Sequence, residues 1–344
     1  MTYSLADLGW SAHFMMQLSI DEQETRSPAR IIAVHRGRFD ALAEAGPLTL
    51  WAKPDIGAMI TVGDWVLADQ TGLIERGLER LTTLSRRASG EEARAQLIAA
   101  NVDVLFIVTS CNRDFNPARL ERYLVLASGA GCQPVIVLTK PDLCDNPDDY
   151  AQKARALGRD LPVVVLNAQD ATQASQLFDW WNKGQTAALL GSSGVGKSTL
   201  TASLTGQPIV TQDIREDDAK GRHTTTTRNL YQATHGGWIL DTPGMRALRL
   251  KDVSDGIDQV FADLAELATT CHFRDCQHES EPGCAIQAEI AAGRLDADRL
   301  RRWQKLAKED QRNSETLAQS RGRDKTLGKY YNRAVQNAKT RKNR

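Results

Sequence analysis

Residues 191 to 199 read GSSGVGKST and fit the pattern G-x-x-x-x-G-K-[ST]. Glycines at these spacings let the backbone turn so that successive N–H groups face one anion, and a helix opening at the lysine adds the positive end of its dipole. Gly191, Ser192, Ser193, Gly194, Val195, Gly196, Lys197, Ser198 and Thr199 are therefore expected to cradle nucleotide phosphates, with Lys197 on the terminal phosphates and Ser198 on Mg²⁺. Downstream, WILDTPG (238 to 244) ends a strand so that Asp241 can hold Mg²⁺ through water and the Gly244 N–H can sense a γ-phosphate. Between them, GRHTTTTRNL offers Thr225 or Thr226 to complete the Mg²⁺ shell, with Thr226 favoured. His223 is a candidate for positioning the attacking water, against the plainer reading of a surface histidine.

The base is read from a segment that precedes the loop. VIVLTKPDL places Thr139, Lys140 and Asp142 at the end of a buried strand, where the carboxylate can accept the N–H groups of guanine and the lysine stem can lie over the ring. Adenine presents an acceptor at that position, which disfavours an ATP-dependent enzyme. The next strand ends VVVLNAQD, so Asn167 and Ala168 stand where backbone N–H groups can meet the guanine carbonyl. The order is thus base, second base element, phosphate loop, threonine segment and D-x-x-G, a circular permutation of the usual GTP-binding order. Met245 follows Gly244, where many GTP hydrolases carry a glutamine that orients water, so slow intrinsic turnover is expected. From Gly244 the chain runs directly towards a cysteine cluster, a possible route for nucleotide state.

That cluster is Cys271, Cys276, His278 and Cys284, three thiols and an imidazole that make a full set for one closed, structural tetrahedral Zn²⁺ site. Reduced free thiols are the alternative reading, and His272 is a rival ligand. The remaining cysteines, Cys111, Cys132 and Cys144, are scattered and read as buried small hydrophobes.

These groups need elements to hold them. Five short strands with glycine punctuation (RIIAVHR, FDALAE, LTLWAK, VGDWVLA, GLIERGL) predict a small barrel of oligonucleotide-binding (OB) type. After it, apolar strands at 102–110, 134–140, 161–168 and 186–191 alternate with helices, which predicts a mostly parallel sheet covered on both faces, with ligands at the carboxyl ends of its strands. Past about residue 265 the chain becomes polar and helical, with Leu300, Trp303 and Ala307 on one expected stripe. The expected division is an extension (1–28), an OB domain (29–88), a nucleotide domain (89–265), a zinc-binding helical domain (266–320) and a basic tail (321–344). The 344 residues carry 43 basic and 43 acidic side chains, yet the tail holds nine Lys or Arg against Asp324 alone. Such a tail suits a phosphate-rich partner, or is simply solvated. No apolar run of membrane-spanning length and no secretory start are readable, so a cytoplasmic protein without a membrane partner is expected.

With these motifs in this order, the chain resembles the bacterial ribosome small-subunit-dependent GTPase A family. The likeness runs from about residue 30 to 310 through FIVTS, DFNPARLERYLVLA, TKPDL, GSSGVGKSTL, GRHTTT, DTPG and C-x4-C-x-H-x5-C. The resemblance implies an α/β circularly permuted P-loop GTPase domain with an N-terminal OB-type β-barrel and a C-terminal helical zinc-binding domain. It implies GTP hydrolysis with Mg²⁺, stimulation by the 30S ribosomal subunit late in its assembly, binding of 16S rRNA, and action as a monomer. Thr139 departs from the commoner asparagine of the family, which places guanine selectivity mainly on Asp142. Basic residues near the cysteines, Arg274, Arg294, Arg299, Arg301 and Arg302, could face rRNA phosphates or pair with neighbouring acids. An RNA-binding module whose pocket reports GTP or GDP without useful turnover is the alternative.

Overall fold

The computed structural model describes residues 2–87, 95–208, 229–241 and 253–314. Strands β1 (Ser27–Val34), β2 (Phe39–Ala43), β3 (Gly46–Ala52), β4 (Trp65–Ala68) and β5 (Leu73–Gly77) form the expected barrel. Their order is β1-β2-β3-β5-β4, and pairing of β1 with β4 closes the ring, so no edge remains unpaired between them. Inward-facing Ala29, Ile31, Phe39, Ala41, Leu50, Val66 and Ile74 fill its interior. Two further strands, β6 (Thr83–Arg87) and β7 (Ala95–Ala100), pair antiparallel across the expected boundary at residue 88.

The second half of the sheet is built from β8 (Val104–Ser110), β9 (Gln133–Thr139), β10 (Val163–Val165), β11 (Thr186–Gly191), β12 (Asn229–Gln232) and β13 (Trp238–Asp241). Its order is β10-β9-β8-β11-β13-β12, all parallel except β12, and a single register pair, Ala33 with Asn229, joins it to the barrel. Every residue of β8 is buried because both faces are covered. Side chains alternate between two cores: Leu105, Ile107, Ile136, Leu138, Ala188 and Leu190 face one, and Phe106, Val108, Val135, Val137, Ala187 and Leu189 face the other.

Helix α1 (Pro117–Gly129) follows β8, α2 (Pro147–Arg155) follows β9, and α3 (Lys197–Thr205) follows the phosphate loop. Beyond the sheet come α4 (Ser254–Val260), α5 (Ala262–Ala268), α6 (Ala285–Ala291) and α7 (Ala297–Ser314). Leu264, Ile286, Leu300 and Leu306 enter the same core as α1, so the C-terminal helices share an interior with the nucleotide half. On α7 the buried stripe is Leu300, Leu306 and Asp310 with Trp303 beside it, while Ala307 is exposed, which corrects the expected stripe by one residue. Among the described residues no helix is long and apolar enough to cross a membrane.

The N-terminal extension is part of this body. Leu8 and Phe14 are buried, Trp10 meets Trp65 edge-on at 4.8 Å, and the Trp238 indole N–H donates to the Asp7 carbonyl at 2.7 Å. Arg30, 2 % exposed, donates to the Leu8 carbonyl and to the Thr186 hydroxyl, tying extension, barrel and sheet at one point.

Candidate functional site: a nucleotide pocket and a Cys3His cluster

The parallel strands β8, β9 and β11 end side by side, so the loops after them converge. After β11 the backbone turns through left-handed Gly194 (φ +77°) and Gly196 (φ +95°), conformations that cost a glycine little, and α3 starts at Lys197. The Lys197 ammonium donates to the carbonyls of Gly191 (3.0 Å) and Ser192 (2.5 Å), which hold it within the loop. Ser193 and Thr199 are exposed, Ser192 and Ser198 are half-buried, and Val195 anchors the loop in the core.

The base-reading segment lies against this loop. Thr139 is fully buried, and its hydroxyl has the Val195 carbonyl at 2.6 Å and the Thr109 carbonyl at 3.1 Å. One proton serves one acceptor at a time, and the shorter contact is to the phosphate loop. Lys140 takes a left-handed backbone (φ +55°), and its ammonium donates to the Gly194 carbonyl at 2.6 Å. Asp142 sits exposed on the following turn, Pro141–Leu143. The second base element closes the other side: a Cβ placed on Gly196 would lie 3.5 Å from the Ala168 Cβ. The Asn167 N–H donates to Gln173 (2.9 Å), its side-chain oxygen accepts from the Gln169 N–H (3.0 Å), and the Ala168 carbonyl accepts from Ser203 (2.8 Å). Residues 139 to 142, 167 to 168 and 191 to 199 are thus brought together.

Asp241 ends β13, which runs parallel to β11. This puts its backbone at the same end of the sheet as the phosphate loop. Thr225, Thr226, His223, Gly244 and Met245 lie outside the described residues. A contact that spacing did not announce is Arg119, in the first turn of α1, whose guanidinium donates to the Ser192 hydroxyl across 73 residues of sequence.

Cys271, Cys276, His278 and Cys284 turn one ligand atom each into a space where all four lie within 4.8 Å of one another. His278 Nδ1 is 3.6 Å from Cys271 Sγ and 3.5 Å from Cys284 Sγ, and those two sulfurs are 3.9 Å apart. A tetrahedral Zn²⁺ with bonds of about 2.0 to 2.3 Å needs edges of about 3.4 to 3.8 Å, so the donor set fits that ion. Burial works against the Cys271 thiolate, but N–H donors of Ala285 and Ile286 and the neighbouring thiols outweigh it and lower its pKa. His278 is held by its left-handed backbone (φ +61°), by Gln287 donating to its carbonyl (2.6 Å) and by Trp303 beside its ring. His272 is exposed and not part of the group.

The basic residues near the cluster divide. Arg299 is 8 % exposed and bound to Asp263 and Glu121, and Arg302 to Glu121, so these two hold the helices together rather than face a partner. Arg294 and Arg301 lie on the surface in pairs with Glu289 and Asp298, and Arg274 is exposed.

The sequence model of the RsgA GTPase family matches residues 77–251, spanning the base element, the phosphate loop and the D-x-x-G strand. The chain belongs to the RsgA GTPase family. Its members include the "Small ribosomal subunit biogenesis GTPase RsgA" of Mesorhizobium japonicum, 51 % identical over 332 residues that cover 95 % of each chain. The "Small ribosomal subunit biogenesis GTPase RsgA 2" of Vibrio parahaemolyticus is 46 % identical, over 94 % of this chain and 91 % of its own. Among solved structures, YjeQ from Thermotoga maritima superposes with a TM-score of 0.60 at 24 % identity, over 82 % of this chain and 97 % of its own. YloQ, described as a circularly permuted GTPase, gives 0.58 at 23 % over 87 % and 100 %. As an RsgA GTPase the protein is a GTP hydrolase of the circularly permuted P-loop class.

Proposed function

We propose that this RsgA GTPase works as a GTP hydrolase stimulated by the small ribosomal subunit, acting late in 30S assembly while bound to 16S rRNA. The observation that carries the reading is the convergence of Thr139 to Asp142, Asn167 to Ala168 and the phosphate loop in one pocket of an RsgA GTPase. The relatives' names, which refer to small-subunit biogenesis, supply the process.

In this reading Asp142, exposed at the pocket rim, accepts the two guanine N–H groups, and the Lys140 stem covers the ring. The Asn167 N–H is already bound to Gln173, so the guanine carbonyl falls to Ala168. Thr139, in the base-binding segment, also fixes the Val195 carbonyl and so aims the loop N–H groups at the phosphates. Lys197 leaves the Gly191 and Ser192 carbonyls for the terminal phosphates. Ser198, Asp241 and Thr226 or Thr225 would hold Mg²⁺, which would supply positive charge beside the phosphate oxygens. With Met245 after Gly244 no side chain there orients water, so His223 or a group of the ribosome does so, and turnover waits for the partner.

One structural Zn²⁺ on Cys271, Cys276, His278 and Cys284 would fold the segment between α5 and α6, since metal-binding energy becomes folding energy. The barrel, the zinc region and the basic sequence from residue 321 would supply the contacts to rRNA, in a cytoplasmic monomer. The test is GTP hydrolysis by the protein alone, with 30S subunits, and with 50S subunits as control. Stimulation by 30S only is expected. Because Met245 replaces the glutamine, a second reading is a GTP/GDP-reporting RNA binder; guanine nucleotide binding without stimulated turnover would favour it.

A further inference from the structure

Helix α1 touches the phosphate loop at its first turn and the C-terminal helix α7 along its side. Asn116 caps the helix, its side-chain oxygen accepting from the Arg119 N–H at 3.0 Å, and the Arg119 guanidinium then reaches Ser192. Two residues on, fully buried Glu121 accepts from Arg302 Nε (2.6 Å) and Arg299 Nη1 (3.2 Å) of α7. Its neighbour Arg122 forms a two-pronged pair with Glu309 of the same helix.

The junction is also closed sterically. A Cβ on Gly256 of α4 would lie 2.6 Å from the Val125 carbonyl of α1, and Asp310 of α7 accepts from the Val253 N–H at 3.2 Å. Helices α1, α4 and α7 therefore interlock, and close-packed helices shift together rather than deform. At the other end, Ser192 is the loop residue whose carbonyl holds Lys197 and whose hydroxyl holds Arg119. Phosphate in the loop takes Lys197 away from that carbonyl, so the change on nucleotide binding begins at the residue that Arg119 grips.

We propose that Arg119 is a positioning residue that couples occupancy of the phosphate loop to helix α7, through the contacts Ser192–Arg119, Glu121–Arg299/Arg302 and Arg122–Glu309. This route runs through the side of the nucleotide half, not along the chain that leaves Gly244. It rests on the guanine nucleotide reading given above.

Hydrogen exchange of α7 tests it, measured with no nucleotide, with saturating GDP and with a saturating non-hydrolysable GTP analogue. Occupancy is followed separately with a fluorescent guanine nucleotide. In the unaltered protein nucleotide should slow exchange in α7 by about fivefold or more, the lower range of ordinary coupling. In Arg119→Ala and Ser192→Ala, at full occupancy, that response should vanish while exchange without nucleotide stays the same; Arg119→Lys should restore part of it. Ser192→Ala removes the contact without touching α1, so a folding defect in the arginine variant leaves the test intact. An α7 response that survives in both alanine variants, or no response in the unaltered protein despite bound nucleotide, would overturn the coupling. Failure of any guanine nucleotide to bind would instead defeat the nucleotide reading, and the coupling with it.

Discussion

Asp142 and Thr139 stand three residues apart and do different work. Asp142 faces solvent on the turn after β9, and in the proposed reading its carboxylate should decide which base is taken. Asp142→Asn presents donors where guanine needs acceptors; GTP affinity should fall by about 10² to 10⁴, and affinity for xanthosine triphosphate should rise, in parallel titrations. Equal loss for both nucleotides would place the base elsewhere. Thr139 is buried, with its hydroxyl 2.6 Å from the Val195 carbonyl. Thr139→Val keeps the shape and leaves that carbonyl unpaired, so GTP and GDP should both weaken by about tenfold, the worth of one such hydrogen bond. An unchanged Kd for both would mean that the loop is held without it.

Among elements, the joint between α1 and α7 is the one with most at stake. Glu121 is fully buried between Arg299 and Arg302, and removing one partner from such a group costs about 3 to 5 kcal/mol because the other charges stay buried. Glu121→Gln should therefore lower the melting temperature clearly, whereas Arg294→Ala, which breaks an exposed pair, should barely move it. The N-terminal extension, besides burying Leu8 and Phe14, is tied down by surface ion pairs, Asp7 with Lys183 and Glu22 with Arg76. Lys183 and Ser4 hold the Asp7 carboxyl down to about 2 from 3.8, and Arg76 and Ser19 hold Glu22 down to about 2 from 4.5. A carboxyl depressed in the folded state contributes stability above its unfolded pKa and loses it as pH falls through the folded one. The extension should accordingly loosen as pH drops from about 4 towards 2, read as a change in Trp10 emission as it leaves Trp65, and Asp7→Asn should remove part of that pH dependence.

At the scale of the molecule, the Cys3His cluster and the nucleotide half share one core. Cys284 and Ile286, at the start of α6, pack into the cluster of residues that includes Leu120 and Leu124 of α1. Purified protein should contain one zinc per chain, and Cys284→Ser or a strong chelator should remove it and lower the melting temperature. Loss of metal with an unchanged melt would show that the helices fold without it.

Much of the site was legible because its parts are local. A phosphate loop needs its glycines, lysine and serine within nine residues, a base element ends the strand that carries it, and the cluster's ligands lie within 14 residues, so the order of motifs disclosed the permutation. The barrel strands were legible as well, since alternation and glycine punctuation act within each strand, whereas the β6–β7 hairpin and short β12 carry too little of either. What only the tertiary structure decided are pairings between residues far apart in sequence. These include the closure of β4 on β1, the turn of Thr139 towards the phosphate loop and the burial of the extension by Arg30 and Trp238. They also include the commitment of Arg299 and Arg302 to Glu121 rather than to a partner's phosphates. Periodicity and spacing report what a residue's own turn or strand requires of it. Which distant charge or carbonyl it meets is settled by packing, where a buried arginine must find its carboxylate and a buried hydroxyl its acceptor.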